Sequence, residues 1–349
     1  MTYPIPVTIL TGFLGSGKST ILSAVLKSDA FSNAAVIVNE FGDVGLDDFM
    51  VVHSEEQIVE MTTGCLCCTI RGDITQSLLD LLEKRKSGAI KPFDHVIIET
   101  TGLADPAPVL HTLATHPQFM IQTRINGTLV TLDGINGLHT LDQYDECVKQ
   151  LALADRIVLT KTDLEIDPAA VHDLKVKVRD INAHAPFVEK AQVLEDLPGL
   201  FSFAQLDQDV KRADLEKWLG QDQHEHHHHH DHNHNHDHGK TIHSFSLTFE
   251  EPVSQQAFVL SMRMLLGNQG ENLLRIKGII RLAHEPERPY IIHGVQHVFH
   301  EPAVLDHWPE GVSDTTLVFI TRGITKETIE TYFKTWLNPE HVDMLEALE

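Results

Sequence analysis

Gly12-Phe13-Leu14-Gly15-Ser16-Gly17-Lys18-Ser19 fills every fixed position of G-x-x-x-x-G-K-[ST], a pattern whose glycines let backbone N–H groups curl around phosphates where a helix begins. In that reading Gly12, Gly15, Ser16 and Gly17 form the cradle, with Thr20 beside it. Lys18 reaches the β and γ oxygens, and the Ser19 hydroxyl ligates Mg²⁺. A second element closes the apolar run His95-Val96-Ile97-Ile98 with Glu99, and Gly102 follows shortly after. A carboxylate there can hold the hydrated Mg²⁺, and a glycine amide can face a terminal phosphate, so Lys18, Glu99 and Gly102 are the catalytic candidates. Thr160-Lys161-Thr162-Asp163 supplies base choice: the Asp163 carboxylate can accept from both N1–H and the exocyclic amine of guanine, with Lys161 lying along the base. The same string also fits a helix N-cap by Thr162 or Asp163. Its order after the two phosphate motifs favours the guanine reading, hence GTP and GDP as ligands.

A different chemistry belongs to Cys65, Cys67 and Cys68, three of the chain's four cysteines. Thiolates are soft ligands that select Zn²⁺, with Co²⁺ and Ni²⁺ as alternatives. In an extended segment Cys65 and Cys67 point to one face and Cys68 to the other; a redox pair of Cys65 with Cys68 is the competing reading. Further on, residues 224–238 hold ten of the 24 histidines. His226, His228, His230, His232, His234, His236 and His238 are among the imidazoles there that can each donate a ring nitrogen to a transition metal.

The elements that must position these groups are legible as short apolar runs, Ile5–Thr11, Ala34–Asn39, His95–Glu99, Thr128–Asp133 and Arg156–Thr160, alternating with amphipathic stretches 19–26, 74–86 and 168–181. That alternation means a parallel sheet with crossover helices, an α/β P-loop NTPase architecture spanning residues 1–200. Residues 201–242 read as a linker, because after Trp218 the pattern lapses into Gly220-Gln221-Asp222-Gln223 and the histidine tract, which has almost no apolar residue. From 243 to 349 a smaller α+β domain follows, with strands at 273–282, 290–300 and 315–321 and helices at 254–266 and 326–337.

Lys and Arg number 27 against 50 Asp and Glu, a formal charge of −23, which repels phosphate backbones and anionic lipid and argues against nucleic-acid or membrane partners. No apolar run approaches the roughly 18 residues a membrane span needs, so a cytoplasmic location is expected.

Taken together, Gly12–Ser19, Asn39-Glu40-Phe41-Gly42, Gly64-Cys65-Leu66-Cys67-Cys68, Glu99-Thr100-Thr101-Gly102-Leu103-Ala104-Asp105-Pro106, Thr160–Asp163, Leu274-Arg275-Ile276-Lys277-Gly278 and Gly294-Val295-Gln296 resemble, in order, the CobW family of P-loop metallochaperone GTPases. The resemblance implies a GTPase that binds a transition metal, most often zinc, and links hydrolysis to its delivery to a client metalloprotein. It implies metal binding by Cys65, Cys67 and Cys68, with Glu40 and His116 as further ligands. The C-terminal domain is open to client-docking, regulatory or homodimer-forming roles. Two departures stand out: Thr160 replaces the asparagine of many GTPases, and no glutamine is assignable to water positioning. A P-loop ATPase or kinase, and a passive metal store, are the competing functions.

Overall fold

In the computed structural model, residues 4–39, 58–60, 66–70, 73–164, 167–203, 215, 219, 242–296, 298–299 and 302–337 are described. Glu40, Cys65 and the histidine tract lie outside them, and Cys67 and Cys68 are placed by their backbone. Two units are distinguished, residues 1–177 with 185–203, and residues 178–184 with 204–349.

The first unit runs β1 (Ile5–Gly12), α1 (Lys18–Lys27), β2 (Ala34–Asn39), β3 (Ile58–Glu60), β4 (Leu66–Ile70), α2 (Ile74–Ser87), β5 (His95–Glu99), α3 (Ala107–Thr115), α4 (Pro117–Gln122), β6 (Thr123–Asp133), α5 (Gly137–Gln143), α6 (Asp145–Ala152), β7 (Arg156–Thr160), α7 (Pro168–Ile181), β8 (Phe187–Glu189), α8 (Lys190–Glu195) and α9 (Leu197–Phe201). Helix α7 ends among residues grouped with the second unit. Its strands order as β3-β4-β2-β5-β1-β6-β7-β8. Only β3, antiparallel to β4, departs from parallel pairing among these described strands. The continuous apolar runs have the expected cause: a parallel strand covered on both faces buries successive side chains whichever way they point. Leu10, Ile21, Leu22, Val25, Val36, Ile97, Leu129 and Val158 make one such core, between α1 and the sheet. Strand β6 begins earlier than the apolar run 128–133, at Thr123, because its polar start pairs with β1 across an irregularity at Val7/Thr8.

The second unit holds β9 (Ile242–Phe249), α10 (Gln255–Gln269), β10 (Leu273–Ile280), β11 (Tyr290–Val295), β12 (Val298–Phe299), β13 (Ala303–Val304), β14 (Thr315–Arg322) and α11 (Lys326–Trp336). The sheet is antiparallel, β12-β11-β10-β14-β9 with β13 beside β11. Phe258, Met262 and Leu265 of α10 and Ile329 and Phe333 of α11 close over Leu247, Ile276, Leu317 and Phe319. The run 290–300 is not one strand: it folds back at Gln296, whose φ of 51° sits at a tight turn that pairs Val295 with Val298. An apolar run carries no mark of reversal when the turn lacks Gly, Asn or Asp.

Candidate nucleotide and metal site

Parallel strands leave ligand crevices at their carboxyl ends, and the motifs emerge there from β1, β5 and β7. The loop after β1 has Gly12, Gly15 and Gly17 at φ 143°, 70° and 98°, which side-chain-bearing residues rarely adopt. Space is closed to a side chain at Gly12, where a Cβ would run into the Thr131 carbonyl oxygen, and tight at Gly17, where it would stand 3.1 Å from Thr160 Cγ2. Lys18 is buried, and its Nζ donates to the Gly12 and Phe13 carbonyls at 2.8 and 3.2 Å, so the ammonium curls over the loop that would cradle phosphate. Burial lowers its pKa, while the nearby Glu99 carboxylate pulls it up. Glu99 itself is buried at the end of β5.

Under the loop runs a buried hydroxyl network. Ser16 Oγ lies 2.6 Å from Thr131 Oγ1, Thr131 donates to the Thr11 carbonyl at 3.3 Å, and Thr100 donates to Thr11 Oγ1 at 2.7 Å. The Thr160 hydroxyl faces the Ser16 carbonyl at 2.6 Å, so the threonine at the head of the base motif ties that motif to the phosphate loop.

After β5, Gly102 is pressed against the phosphate loop: a Cβ there would come within 2.6 Å of the Leu14 amide nitrogen. From behind, the fully buried Gln150 of α6 donates through Nε2 to the Gly102 and Ala104 carbonyls at 3.2 and 3.0 Å. Its neighbour Lys149 pairs with Asp105 at 3.7 Å.

At the end of β7, Lys161 takes φ 60° and donates to Asp133 Oδ2 at 2.7 Å. Burial pushes the Asp133 carboxyl up, but hydrogen bonds from Lys161, the Asn136 side chain and the Ile135 and Asn136 amides outweigh it and hold the group below the usual range. Asp163 faces solvent, with the Lys190 ammonium 3.4 Å from each of its oxygens.

Cys67 and Cys68 lie on β4, level with Val36 and Ile37 of β2, which are level in turn with Ile97 and Ile98 of β5. His116 ends α3 and begins α4. Its ring packs on Phe119, with centroids 4.7 Å apart, and its buried Nδ1 has no hydrogen-bond partner among the described residues. No group of three or more His, Cys, Asp or Glu among the described residues is placed to hold a metal ion.

Thr131, Asp133, Gln150 and Lys190 are contributors that the motifs did not name. Asp133 ends β6 as Glu99 ends β5, and that strand-end position is the signal that would have found it; the other three carry none.

The parallel sheet and the glycine loop between β1 and α1, with Lys18 opening the helix, define a P-loop nucleotide-binding protein. Residues 6–189 match the CobW/HypB/UreG nucleotide-binding domain, and residues 242–337 match the cobalamin synthesis protein cobW C-terminal domain. The chain belongs to the CobW family. It is similar to zinc chaperone YjiA of Escherichia coli, 32% identical over 334 residues that cover 95% of this chain and 98% of that one. The crystal structure of the Zn(II)-bound YjiA GTPase superposes with a TM-score of 0.72 at 29% identity, covering 96% of this chain and 99% of the other. Zinc-regulated GTPase metalloprotein activator 1 of Saccharomyces cerevisiae is 34% identical over 210 residues, 52% of this chain and 47% of that protein. No helix among the described residues is long and apolar enough to cross a membrane.

Proposed function

We propose that this chain is a GTP-hydrolysing metallochaperone that takes zinc as cargo and couples the nucleotide cycle to its delivery to a client metalloprotein. Lys18 and the glycine loop bind the phosphates, Gly102 faces the terminal phosphate, and Asp163 selects guanine. Zinc is held by Cys65, Cys67 and Cys68 with Glu40 and His116, and the tract 224–238 collects further metal. Magnesium takes oxygen ligands; the Ser19 hydroxyl at the start of α1 and the Glu99 carboxylate beside Lys18 are oxygen donors of that kind and would hold it. When bound it neutralises charge on the β- and γ-phosphates.

The observation that carries the coupling is the order β4-β2-β5 with its register. Cys68 and Ile98 lie in one row, two strand spacings or about 10 Å apart, and Glu99 follows Ile98. The intervening β2 leads directly into Glu40. A shift of the segments around the terminal phosphate therefore acts on β2 and β5, whose ends at Asn39 and Glu99 lie within two rows of Cys68.

The test is the Zn²⁺ affinity of the full chain with Mg²⁺ and a nonhydrolysable GTP analogue, then with GDP. Different affinities are expected; equal ones would overturn the coupling. Lys18→Ala separates a chaperone from a passive store, because it should abolish both GTP turnover and nucleotide-dependent zinc release while the thiolates stay intact.

A further inference from the structure

Guanine presents three groups along one edge, the O6 acceptor, then the N1–H and 2-amino donors. Asp163 answers only the two donors. Lys190 is the neighbouring group that can answer the third. Strands β7 and β8 are parallel and in register, Val158 with Val188 and Leu159 with Glu189, so Lys190 follows the last paired residue of β8 as Thr160 follows that of β7. Lys190 thus leaves β8 where the base motif leaves β7. Its backbone is fixed by the capping box at the start of α8, in which Gln192 Oε1 accepts from the Glu189 amide at 3.1 Å. The adjacent carboxylate is taken elsewhere, since Glu189 pairs with Lys175 at 3.5 Å. Lys190 reaches Asp163 instead and lies 3.4 Å from both oxygens.

A guanine whose two donors pair with Asp163 competes with the ammonium for the same two oxygens, so it must move the ammonium aside. The stem is a flexible four-carbon chain with a partly exposed head. Beside the N1–H that takes over the carboxylate, the first acceptor the ammonium meets is O6.

We propose that Lys190 is a specificity-determining residue that donates to guanine O6, completing with Asp163 a donor-acceptor-acceptor match to the whole edge. The inference rests on the guanine reading of residues 160–163 and extends it. Adenine meets this pair badly, because its amino group puts a donor against the ammonium and its N1 puts an acceptor against the carboxylate. In the absence of nucleotide the same ammonium neutralises Asp163 and keeps it at the site.

The test is titration of the full chain and of Lys190→Met and Asp163→Asn with GDP, IDP and 6-thio-GDP. IDP lacks the 2-amino group but keeps O6; 6-thio-GDP keeps both donors but replaces O6 with sulfur, a weak acceptor. A charge-assisted bond to O6 predicts that Lys190→Met weakens GDP and IDP by about tenfold each and changes 6-thio-GDP by less than about twofold. If Lys190 merely holds Asp163 in place, GDP and 6-thio-GDP weaken by the same factor, and that outcome, or no change in either, overturns the proposal. Asp163→Asn reports on the underlying reading separately: undiminished GDP affinity in that variant would overturn the guanine assignment itself.

Discussion

At position 160 a threonine hydroxyl, 2.6 Å from the Ser16 carbonyl and 3.1 Å from that of Leu132, anchors the base motif to the phosphate loop. Thr160→Val keeps the shape and leaves the buried Ser16 carbonyl without this donor, a loss of about 1–2 kcal/mol. GDP affinity measured calorimetrically should fall about tenfold, and wild-type affinity would show that the tie does nothing for binding. Cys147 yields a second residue-level prediction. Burial pushes its thiol up to about 12, and only the thiolate reacts, so alkylation of the native chain near pH 8 should leave Cys147 unmodified and label it only after denaturation. Peptide mass spectrometry then reads protection by zinc at Cys65, Cys67 and Cys68 without interference. The place of Lys18 against the glycine loop was legible in the sequence because it is set by the residues beside it. Thr131 and Gln150 were not, because each acts on a partner 115 or 48 residues away, and proximity of that kind exists only after the sheet has formed.

Elements whose side chains are buried on both faces were read almost to the residue: Ala34–Asn39, His95–Glu99 and Arg156–Thr160 are strands with those bounds. The short helices α3 to α6 were not read, since their turns make no long apolar stripe, yet α6 is the element behind the Gly102 loop. Gln150→Met should free that loop's carbonyls at little cost in volume. Hydrolysis should slow by about tenfold, and amide exchange at Gly102–Asp105 should quicken; unchanged exchange would mean that α6 does not restrain the loop. At the opposite end of β5, His95 sits between Phe31 and Phe201, and its Nε2 is hydrogen-bonded to Thr8 Oγ1, which also accepts from Asn126 Nδ2, both at 2.9 Å. Burial, reinforced by Arg124, lowers the His95 pKa from 6.5 to about 4. A folded pKa below the unfolded value means that the neutral ring's contribution is present above 6.5 and lost as pH falls toward 4. Between pH 7 and pH 5 that amounts to about 2 kcal/mol. Denaturant melts of the wild type and His95→Gln should therefore converge as pH falls through this window; a constant gap would rule the linkage out.

Across the whole molecule the charge of −23 opposes the binding of a polyanionic nucleotide, so the phosphate loop, Lys18 and magnesium must work locally against the field, while the same field draws cations in. The two metal-binding features of the sequence should then behave as different classes. On the proposed reading, three thiolates packed into four positions would make one tight site, whereas the ten histidines of 224–238, among Asp, Asn and Glu, would offer many weak and exchanging ones. The tract also lacks the apolar content to join either core, so removing it should leave the GTPase intact. Deleting residues 224–238 should lower the zinc equivalents bound per chain and keep GTP turnover within about twofold of wild type. Imidazole binds metal only when deprotonated, so the equivalents lost by deletion should be those that the wild type sheds as pH falls through ~6.5. Counting bound zinc by elemental analysis at pH 7.5 and at pH 5.5, in both chains, resolves the classes: if the tract is a separate collector the two counts meet at low pH, whereas a deletion that stops turnover would place the tract in the catalytic machinery instead.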